Sequence, residues 1–537
     1  MRRFRFAPLA VVALVSSVAA LACSTDVDTL DDKQGTDDFS SADATLLEFE
    51  FDGEVTGSAW NTKALINDQL LYTIGHLNGD RAVGRLDKVT LTNVKSEGST
   101  TKYHAKLPVA WGSKTNLPKD YTFTLPKDAS YPGQEAFTTK YKAACAEFGA
   151  HDVDAGSMWY YFRPKQSRCK IDAADSIVVK ATAVKSVENT TGKYPEYDKV
   201  WEDGVLEVVA VFGKYEDGKT ANSDAGISAY NRFISTFRST YAKNGVTTKP
   251  EALAADAGVN APDVELSATL ANGRKIHATA LLVDNVASAG ATFNSRYAAL
   301  STEADVIMYN GHAGLGQNVR ALASKGQWRK GKYVVVFMNG CDTFAYVDGS
   351  LAETRARINA DDPTGTKYME FVTNAMPAFF SSMPAASMSL INGLAKFDAP
   401  MTYEQILANL DDSQIATVTG EEDNAFKPGA SPNPNPQPTT WTGVDESFTL
   451  ARGAEKRFEI GTVPAGKYRF DLTGTGDGDL YVRMGGGPVS TTQWTCRPYK
   501  GGSAESCELT ATAAAPFSVM VRGYKDGSAV RLVGKKL

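Results

Sequence analysis

The chain has 537 residues, 43% of them hydrophobic and 22% charged, so it is long enough for several domains with buried cores. Its 56 basic and 62 acidic residues give a formal net charge of -6. This balance leaves no positive field to hold a phosphate backbone, and we therefore expect no nucleic acid partner.

The N-terminus has the pattern of an export signal. Three arginines within the first five residues precede an uncharged, mostly apolar run over residues 6–21, which is short for a membrane span. The Ala-Leu-Ala-Cys sequence that ends at Cys23 resembles the lipidation box of bacterial lipoproteins. The resemblance implies that residues 1–22 are removed, that a lipid on Cys23 anchors the protein outside the cytoplasm, and that Ser24 directs it to the outer membrane, on its periplasmic or cell-surface face. The alternative is an ordinary signal peptide followed by a chance cysteine.

Two regions of different character follow the signal. Residues 23–44 are rich in Asp, Ser and Thr and predict a flexible tether. Residues 45–175 contain short alternating segments, such as Lys88–Thr92 and Tyr121–Leu125, separated by Gly, Pro and Asn turns. We expect this region to be an antiparallel β domain.

Residues 176–425 predict strands that alternate with helices. A mostly apolar strand pattern is followed by large apolar residues at helical spacing behind Ser223, a candidate helix cap. Asn272-Gly273, between two strand patterns, is a strong hairpin signal. Apolar runs over Asp305–Tyr309 and Tyr333–Met338 suit parallel strands that are buried on both faces. The pattern predicts an α/β domain with a mostly parallel sheet.

Residues 426–443 predict a stiff, extended linker, because repeated prolines forbid a helix and remove sheet donors. This linker separates the C-terminal region from the rest. Residues 444–537 return to β alternation. Gly476–Arg483, the segment around Cys496 and Val519–Tyr524 together resemble the bacterial pre-peptidase C-terminal domain. The resemblance implies a jelly-roll-like β-sandwich appended to secreted hydrolases, frequently peptidases.

The cysteines divide into local pairs and a remainder. In an oxidising compartment, thiols that can meet become paired, and the simplest pairing joins Cys145 to Cys169 and Cys496 to Cys507. Cys341 is left over. An unpaired cysteine in such a place is either buried and inert or held free for chemistry.

Two acids in the C-terminal region are candidates for a structural calcium site. Asp477 and Asp479 lie in a glycine-rich turn, where carboxylates can bind Ca²⁺. The alternative is that they are solvated turn acids that satisfy local amides. We expect no other cofactor and no other metal.

Two apolar strand patterns each end in a residue with catalytic potential, namely His312 and Cys341. In open α/β sheets, active residues gather beyond the carboxyl ends of the strands. Residues 315–332 are long enough for one short crossover helix, so the two strands can be neighbours. Neighbouring strands lie roughly 4.8 Å apart, which predicts that the two side chains are close.

This pairing suits nucleophilic catalysis. A thiolate at Cys341 is a strong nucleophile, and the imidazole of His312 can act as general acid and base. The backbone N–H of Cys341, with that of Ala313 or Gly314, can form an oxyanion hole.

A hydrophobic strand ending at His-Gly, followed by one ending at Cys, resembles the cysteine peptidases of the caspase, legumain and gingipain group. In this chain Ala313 separates His312 from the glycine, and Gly340 precedes the cysteine where alanine is commoner. The resemblance implies a caspase-like α/β fold and peptide-bond hydrolysis by Cys341 and His312. The alternative is that both are satisfied residues at the ends of core strands. The sequence has no His-Glu-x-x-His zinc helix and no Gly-x-Ser-x-Gly elbow.

The sequence therefore predicts a membrane-anchored, exported cysteine endopeptidase that acts on a protein or peptide substrate. The competing hypothesis is a non-catalytic surface lipoprotein, an adhesin or binding protein, that uses the same modules to hold a protein or polysaccharide.

Overall fold

The computed structural model describes residues 38–57, 61–150, 152–314, 316–346, 349–420, 424, 426–428, 443–485, 489–512 and 515–537. The expected signal peptide, the lipidated Cys23, most of the tether and most of the proline-rich linker lie outside these residues. The chain divides into two compact units, Met1–Phe426 and Lys427–Leu537. Within the described ranges, no helix combines the length and the apolar character that crossing a membrane requires.

The N-terminal part of the first unit contains seven strands and three α-helices within the described residues. They are β1 (Ser40–Ser41), β2 (Thr45–Thr56), α1 (Thr62–Asn78), β3 (Ala82–Gly84), β4 (Thr90–Glu97), β5 (Thr100–Trp111), β6 (Asp120–Pro126), α2 (Tyr131–Cys145), α3 (Met158–Tyr161) and β7 (Ser176–Lys185).

These strands, apart from β1, form an antiparallel sheet in the order β3-β5-β2-β7-β6, with β4 paired to β5. The helices contribute to its core: Leu70 and Ile74 of α1 are buried together with Phe49 and Phe123 of the sheet. The region is therefore not the purely antiparallel β domain that the sequence predicts. Its sheet includes β7, whose alternating pattern buries one face only.

The second part of the first unit carries the larger sheet. Its elements are α4 (Tyr197–Val200), β8 (Val205–Gly213), α5 (Ala225–Thr240), β9 (Thr247–Lys249), β10 (Asp263–Thr269), β11 (Lys275–Val283), α6 (Ala291–Ser301), β12 (Val306–Asn310), α7 (Gln317–Lys325), β13 (Val334–Asn339), α8 (Ser350–Ala356), β14 (Met369–Asn374), α9 (Met383–Leu394), α10 (Tyr403–Leu407) and β15 (Ala416–Thr419). Short 3-10 helices occur at Leu86–Lys88, Ala242–Asn244, Gly258–Asn260 and Thr343–Tyr346.

This sheet has nine strands in the order β1-β15-β14-β13-β12-β8-β11-β10-β9. The four pairings from β11 through β8, β12 and β13 to β14 are parallel. The four outer pairings are antiparallel. The sheet is therefore mixed, and the predicted mostly parallel, caspase-like α/β domain is wrong. The reason is that a hairpin and a returning strand extend the parallel centre on both sides, and β1 enters from the N-terminal segment.

Several local predictions within this sheet are confirmed. The hairpin turn contains Asn272 and Gly273, with Gly273 at φ +84°, and joins β10 to β11. Strands β12 and β13 are parallel neighbours, buried along their whole length, and α7 lies between them in sequence. The predicted cap of α5, Ser223, is wrong. The cap is Asp224, because its carboxylate accepts hydrogen bonds from Gly226 N and Ile227 N.

The second unit is built from antiparallel strands. They are β16 (Val444–Leu450), β17 (Glu455–Val463), β18 (Gly466–Gly474), β19 (Gly478–Met484), β20 (Glu505–Ala511), β21 (Ala515–Gly523) and β22 (Ser528–Lys536). They form a four-stranded sheet, β16-β22-β18-β20, and a three-stranded sheet, β17-β21-β19. A jelly roll has eight strands in two Greek keys. With seven strands in the described part of this unit, the predicted jelly-roll arrangement is wrong.

Both predicted disulfides are present. Cys145, the last residue of α2, is bonded to Cys169, and Cys496 is bonded to Cys507 in β20. Cys341 is a free cysteine.

Candidate functional site

His312 and Cys341 lie at the same level of the large sheet. Asn310 at the end of β12 is paired in register with Asn339 at the end of β13, and each candidate lies two residues further on. The turns touch: a Cβ atom added to Gly340 would lie 2.9 Å from the carbonyl oxygen of Gly311. Glycine before Cys341 is therefore required by close backbone packing between the two turns.

The imidazole of His312 is exposed and lies between two aromatic rings. Its centroid is 5.3 Å from that of Tyr215 and 5.0 Å from that of Phe380. Nε2 lies 3.0 Å from the carbonyl oxygen of Tyr215. Because a carbonyl can only accept, Nε2 carries the proton, and Nδ1 is the acceptor of the neutral ring.

The Tyr215 loop is held by the cap of α5. The Asp224 carboxylate accepts hydrogen bonds of 3.1 Å from both Tyr215 N and Glu216 N, in addition to those from the first turn of the helix. Although burial opposes it, these backbone donors lower the pKa of Asp224. One carboxylate therefore fixes both the helix and the carbonyl that orients His312.

Cys341 is half-buried, and its thiol donates to the carbonyl oxygen of Ala378 over 3.6 Å. Burial, with the neighbouring Asp342 carboxylate, raises the pKa of the thiol to about 11. In this arrangement Cys341 is a protonated thiol at neutral pH.

Asp342 is fully buried and adopts a left-handed backbone conformation, with φ at +51°. Its Oδ1 accepts from Asn78 Nδ2 over 3.0 Å, and burial raises the pKa of the carboxyl to about 6. Asn78 belongs to α1, and the Tyr160 side chain of α3 lies near Asp342 and Cys341. The N-terminal region therefore packs directly against the turn that carries the candidate nucleophile.

The loop after β14 contacts both candidates. Ala378 accepts from the Cys341 thiol, and the Phe380 ring packs on His312. The backbone N–H of Asp342 donates to Met376 O over 3.2 Å. His312 and Cys341 thus face a common wall.

The predicted oxyanion residues lie in the two turns that carry His312 and Cys341. Among the described residues, the N–H groups of Ala313, Gly314 and Cys341 have no hydrogen-bond acceptor. Gly314 has φ +60°, which favours glycine at this point of the turn. An oxyanion role for these three N–H groups stays a prediction.

Sequence reasoning missed the residues that support the pair. Tyr215 and Phe380 lie in loops far from His312 in sequence, and no local pattern links them to it. A signal was present in the three buried strands β12, β13 and β14, each of which ends in asparagine: Asn310, Asn339 and Asn374.

The candidate calcium ligands Asp477 and Asp479 each contact groups of the protein. Asp477 Oδ1 accepts from Gly502 N over 2.9 Å, and Asp479 Oδ2 lies 3.3 Å from the guanidinium of Arg497. Both acids are buried rather than solvated. In the part of the chain that the structure describes, no group of three or more His, Cys, Asp and Glu side chains is placed to hold a metal ion.

Short stretches of the chain are similar to known proteases. A zinc metalloprotease of Helicobacter pylori is 40% identical over 83 residues, which is 15% of this chain and 32% of that protein. The hemagglutinin/proteinase of Vibrio cholerae is 40% identical over 83 residues, covering 15% of this chain and 14% of that protein. The alkaline serine exoprotease A of Vibrio alginolyticus is 34% identical over 107 residues, covering 19% and 20%. The chain spans a third or less of the length of these relatives.

Solved structures with partial similarity were also found. The solution structure of vEP C-ter 100 is 33% identical and covers 17% of this chain and 91% of that chain, with a TM-score of 0.16. The capsular polysaccharide assembling protein CapF from Staphylococcus aureus is 11% identical and covers 62% and 96%, also with a TM-score of 0.16. No family model matches the chain.

These comparisons correct the family prediction. The relatives are zinc and serine proteases, so the predicted membership of the caspase, legumain and gingipain group is wrong. The resemblance of the C-terminal region to the pre-peptidase C-terminal domain finds no matching family model. The resemblance to the caspase, legumain and gingipain group rested on two short motifs at strand ends, and a shared local motif does not establish a shared family. An extracellular protease of Xanthomonas campestris is also similar, which is consistent with export.

Proposed function

We propose that this chain is an exported, lipid-anchored hydrolase of peptide bonds, with Cys341 as nucleophile and His312 as general acid and base. The observation that carries the proposal is the equal register of the two residues at the carboxyl ends of adjacent parallel strands. It rests on these residues and not on membership of a known cysteine peptidase family.

The chemistry follows from the groups present. His312 Nδ1 takes the proton of the Cys341 thiol, and the sulfur attacks the carbonyl carbon of the peptide bond. The N–H groups of Ala313, Gly314 and Cys341 bind the resulting oxyanion. When the C–N bond breaks, the imidazolium returns its proton to the leaving amine. Water then hydrolyses the thioester and restores the thiol.

The protease relatives support hydrolysis in general and say less about the catalytic residues. The protease matches named above span 83 to 107 residues, and among the relatives are a zinc metalloprotease and a serine exoprotease. We propose that the matched segment is an accessory module that proteases of different classes carry beside their catalytic domains. The matches are of the size of the Lys427–Leu537 unit.

A non-catalytic binding lipoprotein is the second candidate, favoured by one observation. The pKa of the Cys341 thiol is raised by burial, whereas catalytic cysteines usually have a lowered pKa. In this case the modules hold a protein or polysaccharide partner, and Cys341 is a core residue.

The test compares the mature wild-type chain with Cys341→Ala and His312→Ala, and with His104→Ala as a matched control. His104 is paired with Asp52 on the N-terminal sheet. We measure hydrolysis of a fluorogenic peptide library and covalent capture by a peptide electrophile. Activity lost in the first two variants and kept in the control supports the proposal.

Two further outcomes contradict it. Hydrolysis that survives Cys341→Ala, or that stops with a chelator or a serine-directed reagent, assigns the chemistry to other groups. Capture no faster than that of a free thiol, with no hydrolysis, favours the binding protein.

The lipid anchor has its own test. We expect radiolabelled palmitate to be incorporated into the wild-type protein and not into Cys23→Ser, whose product enters the aqueous phase. Equal labelling of both forms contradicts lipidation of Cys23.

A further inference from the structure

A buried network of amide side chains lies directly beneath the candidate site. Asn310, Asn339 and Asn374 end the neighbouring strands β12, β13 and β14, and each is 0–1% exposed. Asn374 Nδ2 donates to Asn339 Oδ1 over 3.1 Å, and Asn339 Nδ2 donates to Asn310 Oδ1 over 2.8 Å. These three residues are called the asparagine ladder below.

The ladder is tied to other parts of the unit at its Asn310 end and at its middle residue, Asn339. Ser387 Oγ in α9 donates to Asn310 Oδ1 over 2.8 Å, and Gln414 Nε2 donates to Asn339 Oδ1 over 3.0 Å. The ladder therefore fixes three strand ends to each other and to α9.

Asn374 also hydrogen bonds to the turn that carries Cys341. Its Nδ2 donates to Gly340 O over 3.1 Å, and its backbone N–H donates to Thr343 Oγ1 over 2.9 Å. Thr343 in turn donates to Met338 O over 2.6 Å. The residues on both sides of Cys341 are thus held by one asparagine.

The amide network leaves several of its own polar atoms unpaired, so it is less stabilising than apolar side chains of similar size would be. Among the described residues, Asn310 Nδ2, Asn374 Oδ1 and Gln414 Oε1 are buried without a hydrogen-bond partner. Unpaired buried polar atoms are destabilising, and apolar side chains would avoid that cost. A costly polar network at this place indicates a role in arranging the turns above it.

We propose that the asparagine ladder is a positioning device that fixes the His312 and Cys341 turns relative to each other, and that Asn374 is the residue that holds the Cys341 turn. The inference deepens the proposed function and rests on it for its consequence in hydrolysis. Asn310 and Asn339 lie two residues before His312 and Cys341, so the ladder sets the spacing of the two turns directly. Among the described residues, Asn374 hydrogen bonds to Gly340 O and Thr343 Oγ1 of the turn and to neither the thiol nor the imidazole, so it acts through the turn.

The test compares wild type, Asn374→Ala and Ser387→Ala. Both variants remove a fully buried polar group from the same network, but only Asn374 contacts the Cys341 turn. The first readout is the pH midpoint of Cys341 alkylation by iodoacetamide, followed by mass spectrometry, which requires no catalysis. The second is capture by a peptide electrophile, and the thermal midpoint of each protein is measured alongside.

The charged and titratable groups around the thiol come from several elements and are unchanged in both variants. They are Asp342 and Tyr346 beside Cys341, Tyr309 in β12, His312 on the turn after β12, and Glu147, Tyr160, Tyr161 and Arg163 in the N-terminal region.

We expect Asn374→Ala to release the turn and expose the thiol, so that the alkylation midpoint falls by about 1 pH unit or more toward the ordinary cysteine value. Peptide capture falls by about tenfold or more, because misplacement of reacting groups is costly. Ser387→Ala keeps both values near wild type. Equal changes in the two variants, in proportion to lost thermal stability, overturn the positioning role. If wild type shows no enhanced capture, the proposed hydrolase fails, while the alkylation midpoints still decide whether Asn374 holds the turn.

Discussion

Replacement of Asp342 by asparagine tests the electrostatics of the candidate site. Asp342 is 0% exposed, adjoins the thiol of Cys341 and adopts a left-handed conformation that asparagine also tolerates. Asn78 Nδ2 can donate to the amide oxygen of the introduced side chain as it does to the native carboxylate. The substitution therefore removes a buried charge with little change in shape or backbone strain.

The magnitude follows from the shift in pKa. Burial raises the pKa of Asp342 from 3.8 to about 6, so the folded protein disfavours the ionised form. The stability associated with the protonated acid is complete below pH 3.8 and is lost as the pH rises through 6. At about 1.36 kcal/mol per pKa unit, this difference gives a cost of about 3 kcal/mol at pH 8. We expect Asp342→Asn to be more stable than wild type at pH 8 by an amount of this order.

Urea unfolding of both proteins at pH 4 and pH 8 measures the effect. The advantage of Asp342→Asn is expected to grow by roughly 2–3 kcal/mol between these values. The pH midpoint of Cys341 alkylation should also fall, because the carboxylate that raises the pKa of the thiol is gone. Asp361→Asn is the control of opposite sign, since its partners Tyr368 and Lys367 lower the pKa of this exposed acid to about 2. A pH-independent difference between Asp342→Asn and wild type would refute the reasoning.

Three other predictions concern stability. Asp224→Ala removes the cap of α5, and we expect a loss of about 1–2 kcal/mol in urea unfolding, with faster proteolysis of the preceding loop; unchanged proteolysis contradicts the role of the cap in that loop. Burial, with a contribution from nearby cations, lowers the pKa of His76 to about 3, so the wild-type protein loses stability as the pH falls below 6.5. In His76→Gln the thermal midpoint should therefore fall less than in wild type between pH 7 and pH 4.5. An equal fall in wild type and variant argues against this. Replacing both Cys496 and Cys507 by alanine opens a short loop and should lower the free energy of unfolding of the C-terminal unit by about 2–3 kcal/mol, measured by thermal unfolding. The Cys145–Cys169 bond should be unaffected and serves as the internal reference.

Local order in the large sheet was predictable because it depends on neighbouring residues. Continuous apolar runs identified β12 and β13, whose side chains are buried on both faces. Asn272-Gly273 identified the hairpin, because that turn needs left-handed backbone. The separation of the cysteines identified both disulfides.

Global order was not predictable to the same extent. The pattern of β7 resembles any half-buried strand, so nothing local assigns it to the N-terminal sheet. Strand β1 pairs with β15 across most of the chain, with Ser40 opposite Val418. Such pairings are set by the packing of whole layers, and the expected fold class failed for that reason.

The sequence by itself determined that His312 and Cys341 follow buried strands and that one cysteine has no partner. It determined this because periodicity and turn chemistry are properties of short segments. Only the tertiary structure decided what surrounds the pair: the Tyr215 carbonyl on His312, the Ala378 carbonyl on Cys341, and the asparagine ladder beneath them. These partners come from segments far apart in the chain, and only the packing of the sheet against its loops brings them together.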